Sequence, residues 1–270
     1  MPADVHVITP TFRRPEALVE AIRSVLAQQG VTVSMEVLDD SPEGSARAAV
    51  EGVGDPRVRY TLRKKPSGGR PAVVRNEGFS RADGRYVHFL DDDDRVVPGA
   101  YQGMTAALDA SPELGMIYGR IVPFGNDPGK LAQERKVFSE ATRRARASER
   151  FRLGRFAVVN LLFVHPILVN SACLVRPEAV RSAGGYDEQL PTVEDLDFFL
   201  RVMRRSGGAF LDRDVIEYRC GEASLMSEAE KDQASIREAY RRIYAKYRDE
   251  RGALELAALK LLGRGLLRWI

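Results

Sequence analysis

The segment Tyr86–Pro98 constrains the fold most, because an apolar run in it leads directly into four carboxylates. Tyr86–Leu90 is short and rich in aromatic and β-branched residues, which is typical of a buried strand. Asp91–Asp94 follow without a break, at the end of a strand where α/β sheets bind ligands. A divalent cation on a diphosphate would relieve their repulsion, since Mg²⁺ and Mn²⁺ take carboxylate and phosphate oxygens. The alternative is a solvated acidic turn before a helix that starts near Gly99.

Strands and helices alternate along the first part of the chain. Apolar runs predict strands at Val5–Ile8, Val33–Leu38, Val58–Leu62 and Tyr86–Leu90, with helices beginning near Pro15, Ser45 and Ala72 between them. This alternation is typical of βαβ units. It therefore predicts an α/β fold with a mostly parallel sheet and right-handed crossovers.

Composition narrows the class of protein. The chain has 270 residues and 44% apolar content, enough for one large domain with an appendage. A net charge of +3 is small beside 41 basic and 38 acidic residues, so we expect no nucleic-acid partner. The two cysteines, Cys173 and Cys220, lie far apart in sequence and match neither a disulfide framework nor the spacing of a zinc site. This suits a reducing cytoplasm. No secretory signal is visible, and the apolar stretch Phe156–Val169 is too short and too polar to span a bilayer.

The second half of the chain is less regular. We predict strands at Met116–Tyr118, Ala172–Val175, Ala209–Leu211 and Val215–Tyr218, helices at Pro177–Ala183 and Thr192–Arg205, and helix from Glu228 onward. A basic helix within residues 120–155 either flanks a site or presents a solvated face. The apolar and basic tail Leu254–Ile270 is interpreted as a helix docked on the domain, with peripheral contact to the inner face of a membrane, or homodimerisation, as alternatives.

Two strand ends that carry acids are expected at one edge of the sheet. They are Asp39 with Asp40, and Asp91–Asp94; the basic loop with Arg70 lies between them in sequence. One acid can accept hydrogen bonds from a base or ribose, a second can hold a metal, and an arginine can reach phosphates. The chain lacks the G-x-G-x-x-G motif of a dinucleotide fold and the G-x-x-x-x-G-K-[ST] phosphate-binding loop. The pattern predicts a nucleotide-sugar site in which a metal neutralises the diphosphate.

Four blocks in order resemble family 2 glycosyltransferases of the GT-A fold. They are V-I-T-P-T-F-R-R-P, V-L-D-D-S, R-N-E-G-F-S-R-A-D-G-R-Y-V-H-F-L-D-D-D-D-R-V-V-P and P-T-V-E-D-L-D-F-F-L-R-V. The resemblance runs from about Val5 to Ser227. It implies a GT-A catalytic domain over 1–225, with a nucleotide-binding half of about 1–118, an acceptor-binding half of about 119–225 and a helical extension over 226–270.

The resemblance also implies roles for the nucleotide-binding residues. Asp39 would accept from the base of a nucleoside diphosphate, usually uracil, while Pro10, Thr11 and Phe12 line the nucleoside pocket. Arg70 would contact the nucleotide. The remaining residues are the acids of the D-x-D element: Asp93 and Asp91 as ligands of Mn²⁺ or Mg²⁺, Asp92 as a diphosphate or ribose contact, and Asp94 as a helix N-terminal charge.

Asp195 matches the catalytic base of an inverting transfer to a hydroxyl acceptor, with Glu194 in support. The alternative for Asp195 is a capping box with Thr192, and Asp197 is interpreted as a surface or supporting charge. The family often has a late metal-contacting histidine. Here Cys220 and Gly221 stand near its place, and His165 is a weak substitute.

The predicted activity is metal-dependent transfer of a sugar, with a UDP-sugar favoured as donor. A nucleotidyltransferase and an inactive nucleotide-sugar-binding homologue are the alternatives. Polysaccharide, lipid-linked and small-molecule acceptors all stay open.

Overall fold

The computed structural model describes residues 3–150, 154–163, 167–190, 192–221 and 233–266. Within these ranges one sheet has eight strands: β1 Val5–Thr11, β2 Val33–Asp39, β3 Val58–Leu62, β4 Tyr86–Phe89, β5 Arg95–Val96, β6 Met116–Phe124, β7 Cys173–Val175 and β8 Gly208–Arg219. Their order across the sheet is β3-β2-β1-β4-β7-β6-β8-β5. Strands β3, β2, β1 and β4 are parallel to one another, whereas β7 and β5 pair antiparallel with their neighbours. The predicted α/β fold with a mostly parallel sheet is confirmed.

Helices cover both faces of this sheet. The described residues form α1 Pro15–Leu26, α2 Arg47–Val53, α3 Pro71–Phe79, α4 Ala100–Asp109, α5 Pro128–Arg150, α6 Gly154–Phe163, α7 Pro177–Ala183, α8 Glu194–Ser206, α9 Gln233–Arg251 and α10 Ala253–Leu266, with a short 3₁₀ helix at Asn170–Ala172. None of these helices is long and apolar enough to cross a membrane.

Two apolar clusters lie on opposite faces of the sheet because successive strand residues point to opposite sides. Val7 and Val37 pack with helices α1, α2 and α4, whereas Ile8 and Leu38 pack with α3, α7 and α8. Helix α3 approaches the strands closely through Gly78, where a Cβ atom would lie 2.5 Å from a methyl carbon of Ile8. Because β1 pairs parallel with both β2 and β4, the carboxyl ends of these three strands lie at one edge of the sheet.

The structure departs from the sequence prediction at strands β5, β6 and β8 and at helix α6. The two predicted late strands are one long strand, β8, which pairs with a longer β6 through an irregularity at Gly119–Ile121. The two-residue strand β5 was not predicted. Helix α6 was also missed because all residues from Phe156 to Leu162 are buried, which removes the helical alternation of apolar and polar positions.

The last two helices pack against the rest of the domain. Helix α10 lies on α6 through Leu256, Leu259 and Gly263, and the ring of Tyr244 in α9 stacks on Phe163 at 5.7 Å. Leu254 and two further leucines of α10 remain exposed. The docked helix expected from the sequence is therefore observed for residues 253–266.

Candidate active site

The site lies where three parallel strands end. Thr11 at the end of β1 is in register with Asp39 at the end of β2, and the backbone N–H of Asp40 donates to the Thr11 carbonyl at 2.9 Å. Leu90, which directly follows β4, donates its N–H to the Ile8 carbonyl at 3.0 Å. These bonds bring the loops after the strands to the same edge, where a cleft of about 300 Å³ opens.

Nine of the residues predicted from sequence line this cleft: Pro10, Thr11, Phe12, Arg70, Asp91, Asp92, Asp93, Glu194 and Asp195. They come from segments far apart in the chain, and the structure brings them together in one cleft. Asp39 is the exception.

Asp39 does not line the cleft, and the structure does not support its predicted contact with a base. The side chain is fully buried, and its oxygens accept four hydrogen bonds. The donors are the N–H and hydroxyl of Ser41 (2.9 and 2.6 Å), the N–H of Ala46 (2.8 Å) and the hydroxyl of Tyr60 (3.0 Å). A carboxylate offers about four lone-pair sites, so the segment after β2 and Tyr60 of β3 together saturate Asp39.

The neighbouring Asp40 takes that place at the cleft. Arg63 forms an ion pair with Asp40 Oδ1, and the N–H of Ser67 donates to the same atom at 2.8 Å. The Ser67 hydroxyl donates to Oδ2 at 2.6 Å. Three donors leave accepting capacity on a carboxylate that is already fixed in position. The acid of this turn that lines the cleft is therefore Asp40 and not Asp39, which the sequence had favoured.

Arg75 ties two acids of the cleft together. Its Nη2 donates to Asp91 Oδ1 and its Nη1 to Glu194 Oε1, both at 2.7 Å. The guanidinium lies 5.2 Å from the ring centre of Tyr186. Asn170 also donates to Asp91 Oδ1, at 3.2 Å. The loop after β4 and the start of α8 are thus connected through one buried arginine, which the sequence analysis did not identify.

Asp92 and Asp93 share a second arginine, Arg14. Its Nη1 donates to Asp93 Oδ2 at 2.7 Å and lies 3.5 Å from Asp92 Oδ1. The Thr11 hydroxyl donates to Asp92 Oδ2 at 2.7 Å. Burial and then the charge of Asp93 raise the pKa of Asp92 to about 7. Burial and the charge of Asp91 likewise raise the pKa of Asp93.

Asp94 is buried beneath the cleft and is not a charge at a helix N-terminus, because α4 begins only at Ala100. Its Oδ1 accepts the backbone N–H of Arg219 at 3.1 Å. Burial and the charge of Asp93 raise its pKa well above the usual range. The Arg219 side chain donates to the Asp93 carbonyl at 3.0 Å and to Glu20 at 2.7 Å.

Asp195 occupies the second position of α8, and the residue at its N-cap is Val193, not Thr192. The side chain of Val193 forms no capping bond, so the capping box considered from the sequence is not formed. Val193 has a φ of 52°, which is unfavourable for a β-branched residue and is typical of functional sites. Asp195 Oδ1 accepts the N–H of Leu196 at 2.7 Å. Burial and the charge of Glu194 raise its pKa to about 7.

Asp197, which the sequence predicted to be a surface or supporting charge, is buried in the structure. It pairs with Arg201 at 2.6 Å and lies 3.4 Å from Lys246 of helix α9. Lys246 also pairs with Asp187. The pairs connect α8 to the turn before it and to the last part of the chain.

The acids of the cleft have the chemistry of a divalent cation site. Asp91 and Asp93 both line it, and each has one carboxylate oxygen outside the arginine bonds given above. Among the described residues no three His, Cys, Asp or Glu side chains converge as a complete ligand set. Mg²⁺ at phosphate sites usually takes one or two carboxylates and completes its shell with phosphate and water. Asp91 and Asp93, which line the same cleft, supply two such carboxylates.

The position expected for a late histidine offers no ligand at Cys220. The Cys220 side chain is buried, its Sγ lies 3.6 Å from the Tyr218 carbonyl, and burial raises the pKa of its thiol to about 11. This agrees with a small buried residue and not with a nucleophile. His165 and residues 222–227 lie outside the described residues.

Comparison with known proteins decides the family. The sequence model described as "Glycosyl transferase family 2" matches residues 6–180. This chain belongs to glycosyl transferase family 2. The family predicted from the four sequence blocks is therefore confirmed.

Individual family 2 relatives match only parts of this chain. Succinoglycan biosynthesis protein ExoO of Rhizobium meliloti is 37% identical over 108 residues, which cover 40% of this chain and 30% of ExoO. The chain spans between 30% and 65% of the length of the first curated relatives that it matches.

Solved structures show the same fold at low sequence identity. Residues 1–349 of S. aureus TarS superpose with a TM-score of 0.66 at 16% identity, covering 97% of this chain and 71% of TarS 1–349. The mannosyltransferase PcManGT of Pyrobaculum calidifontis, in complex with GDP-Man and Mn²⁺, gives 0.56 at 16% identity, covering 98% and 81%. The GT-A fold predicted from sequence is confirmed.

Proposed function

We propose that this chain transfers a sugar from a nucleoside diphosphate to an acceptor hydroxyl with inversion, using Asp195 as the general base. One observation carries the proposal: Asp195, with a pKa raised to about 7, lies in the same cleft as the acids Asp91–Asp93. The acids suit a diphosphate with its cation, and an acceptor must be deprotonated near it. Both requirements of the reaction are present in one place.

Asp195 is suited to removing a proton near neutral pH. A general base works best when its pKa is near the working pH, because it is then partly ionised and still basic. Arg75 fixes the adjacent Glu194, and the left-handed Val193 sets the direction in which α8 begins. These contacts would orient Asp195 toward the attacking hydroxyl.

The donor is proposed to be a UDP-sugar. Asp40 replaces Asp39 as the acid that accepts an N–H of the base, and Pro10, Thr11 and Phe12 line the nucleoside part of the cleft. Arg70, the N-cap residue of helix α3, lines the cleft and would contact the nucleotide. Support for uridine comes from TarS 1–349, which has been solved in complex with UDP and with UDP-GlcNAc.

Asp93 and Asp91 are proposed to hold Mn²⁺ or Mg²⁺ together with the diphosphate. When bound, the cation would supply positive charge where the leaving diphosphate develops negative charge. Within the chain itself, Arg14 and Arg75 supply positive charge next to these acids.

The first experiment measures binding of UDP, GDP, CDP and ADP to the purified chain by calorimetry, with and without Mn²⁺. We expect UDP to bind most tightly and Mn²⁺ to strengthen that binding. Asp93→Ala should lose the Mn²⁺ effect, whereas Asp195→Asn should retain donor binding. Absence of binding to every nucleotide, in the presence of Mn²⁺, would contradict the proposal.

A second measurement separates the enzyme from an inactive homologue. Release of UDP from UDP-sugars is followed with water and with a panel of hydroxyl acceptors. We expect turnover by the unmodified chain and none by Asp195→Asn. Tight UDP binding with no release from any UDP-sugar would favour the inactive homologue.

A further inference from the structure

Arg13 and Arg14 are neighbours in the loop after β1, yet their side chains have different surroundings. Arg13 has a left-handed backbone with a φ of 59°, and its exposed guanidinium pairs with Glu43 at 2.6 Å. Arg14 lines the cleft and donates to Asp93 at 2.7 Å, with Asp92 at 3.5 Å. The unusual turn at Arg13 thus separates the two side chains and directs one guanidinium to the acidic cluster.

The position of Arg14 just before helix α1 does not account for the direction of its side chain. Arg14 is the N-cap residue of α1, and its guanidinium has donors only, so it cannot cap the N–H groups of the helix. The side chain is 32% exposed, so a ligand in the cleft can reach it. A guanidinium that is both anchored on carboxylates and accessible is suited to exchange one anionic partner for another.

We infer that Arg14 is a diphosphate-binding residue, and that it serves as the counter-ion of Asp92 and Asp93 whenever no nucleotide is bound. The inference rests on the proposed nucleotide-sugar site. Diphosphate oxygens match the planar fork of an arginine and accept two parallel N–H bonds. When a nucleoside diphosphate enters, the Arg14 guanidinium leaves Asp93 for the phosphates.

This exchange couples nucleotide binding to metal binding. A guanidinium and a divalent cation on the same Asp93 carboxylate repel each other, so Arg14 weakens cation binding to the free protein. A nucleotide that draws Arg14 away makes Asp93 available to the cation. Linkage requires the converse as well: the cation increases nucleotide affinity by the same factor.

The test measures two affinities separately. Binding of Mn²⁺ to the nucleotide-free protein is followed by electron paramagnetic resonance, and binding of UDP by calorimetry without metal. Arg14→Gln should bind Mn²⁺ more tightly and UDP more weakly than the unmodified chain, each by about tenfold, because one charge-assisted contact changes in each state. The enhancement of UDP binding by Mn²⁺ should fall by a similar factor.

Two variants keep this test specific. Arg14→Lys retains the charge but not the planar fork, so it should keep the weak Mn²⁺ binding and lose part of the UDP affinity. Arg57→Gln removes an exposed arginine paired with Asp55, near the start of β2 at the opposite end of the sheet, and should change neither affinity.

Different results would overturn the inference alone or the proposed function with it. If Arg14→Gln binds Mn²⁺ no more tightly than the unmodified chain, or binds UDP as well as it does, the inference is overturned while the proposed site stands. If the unmodified chain binds no nucleoside diphosphate with or without Mn²⁺, the proposed function itself fails, and the inference fails with it.

Discussion

Arg75 and Glu194 form an ion pair at 2.7 Å that joins helix α3 to the first turn of helix α8. The same guanidinium holds Asp91 at the end of the β4 strand, also at 2.7 Å. One buried side chain therefore connects the acidic cluster to the helix that carries Asp195. We therefore expect the position of the proposed base to depend on this bridge.

Replacement of Arg75 by methionine should cost stability and activity together. It leaves Asp91 and Glu194 without their buried cation, and breaking a buried ion pair typically costs about 3–5 kcal/mol. We expect that loss in urea unfolding and, in the protein that stays folded, a larger fall in kcat than in UDP affinity. Arg85→Gln is the control, because Arg85 pairs with Asp4 and Asp109 at the surface and should cost about 1 kcal/mol or less. Equal losses in the two variants would contradict the bridging role.

Activity should rise with pH through the pKa of Asp195. The base must be ionised to accept a proton, and its pKa is raised to about 7, so kcat should increase as pH rises through about 7. Asp195→Asn should lower kcat by at least about a hundredfold, with UDP affinity nearly unchanged. A large loss of UDP binding in Asp195→Asn would argue against the assignment.

The same raised pKa predicts how stability depends on pH. Between the ordinary value of 3.8 and about 7, folded Asp195 binds a proton that the unfolded chain releases. Its contribution to stability is therefore complete at low pH and is lost as pH rises through about 7. Urea unfolding at about pH 5 and about pH 8 should show a smaller loss for Asp195→Asn than for the unmodified chain. An identical loss would show that Asp195 titrates normally.

Asp39 and Asp40 should respond differently to the same substitution. Asp39→Asn places an amide among four donors, so we expect a loss of about 2–3 kcal/mol in stability, with UDP affinity retained by the folded protein. Asp40→Asn should weaken UDP binding, because the acid that faces the cleft loses its charge. Calorimetry measures the UDP affinity of both folded variants. A selective loss of UDP binding in Asp39→Asn would restore the assignment made from sequence.

Two glycines in helices test how closely α3 packs on the sheet. An alanine at Gly78 would place its Cβ 2.5 Å from Ile8 and 3.0 Å from Leu38, so Gly78→Ala should destabilise by about 1–3 kcal/mol. Gly52 in α2 has no atom within 4 Å of that position. Gly52→Ala should therefore stabilise by about 0.4–1 kcal/mol, through the unfolded chain. Thermal unfolding compares them, and a stabilising Gly78→Ala would mean that α3 shifts freely.

Much of the fold follows from local signals in the sequence. The first four strands were predicted to within three residues of their observed ends, because short apolar runs between turn residues specify buried parallel strands. The long strands β6 and β8 were harder to predict. They carry polar residues along an irregular pairing, so the apolar run ends before the strand does.

The four sequence blocks by themselves identified the family, and acids at the ends of predicted parallel strands pointed to a cleft at one edge of the sheet. Tertiary structure decided which acid faces the cleft. Asp39 and Asp40 are alike in sequence, but the segment after β2 donates three hydrogen bonds to Asp39 and Tyr60 of β3 donates a fourth, whereas Asp40 lines the cleft. The tertiary structure also decided that Arg14 and Arg75 lie next to the acids of the cleft. Long side chains reach partners that are distant in sequence, so local pattern does not specify where their charges lie.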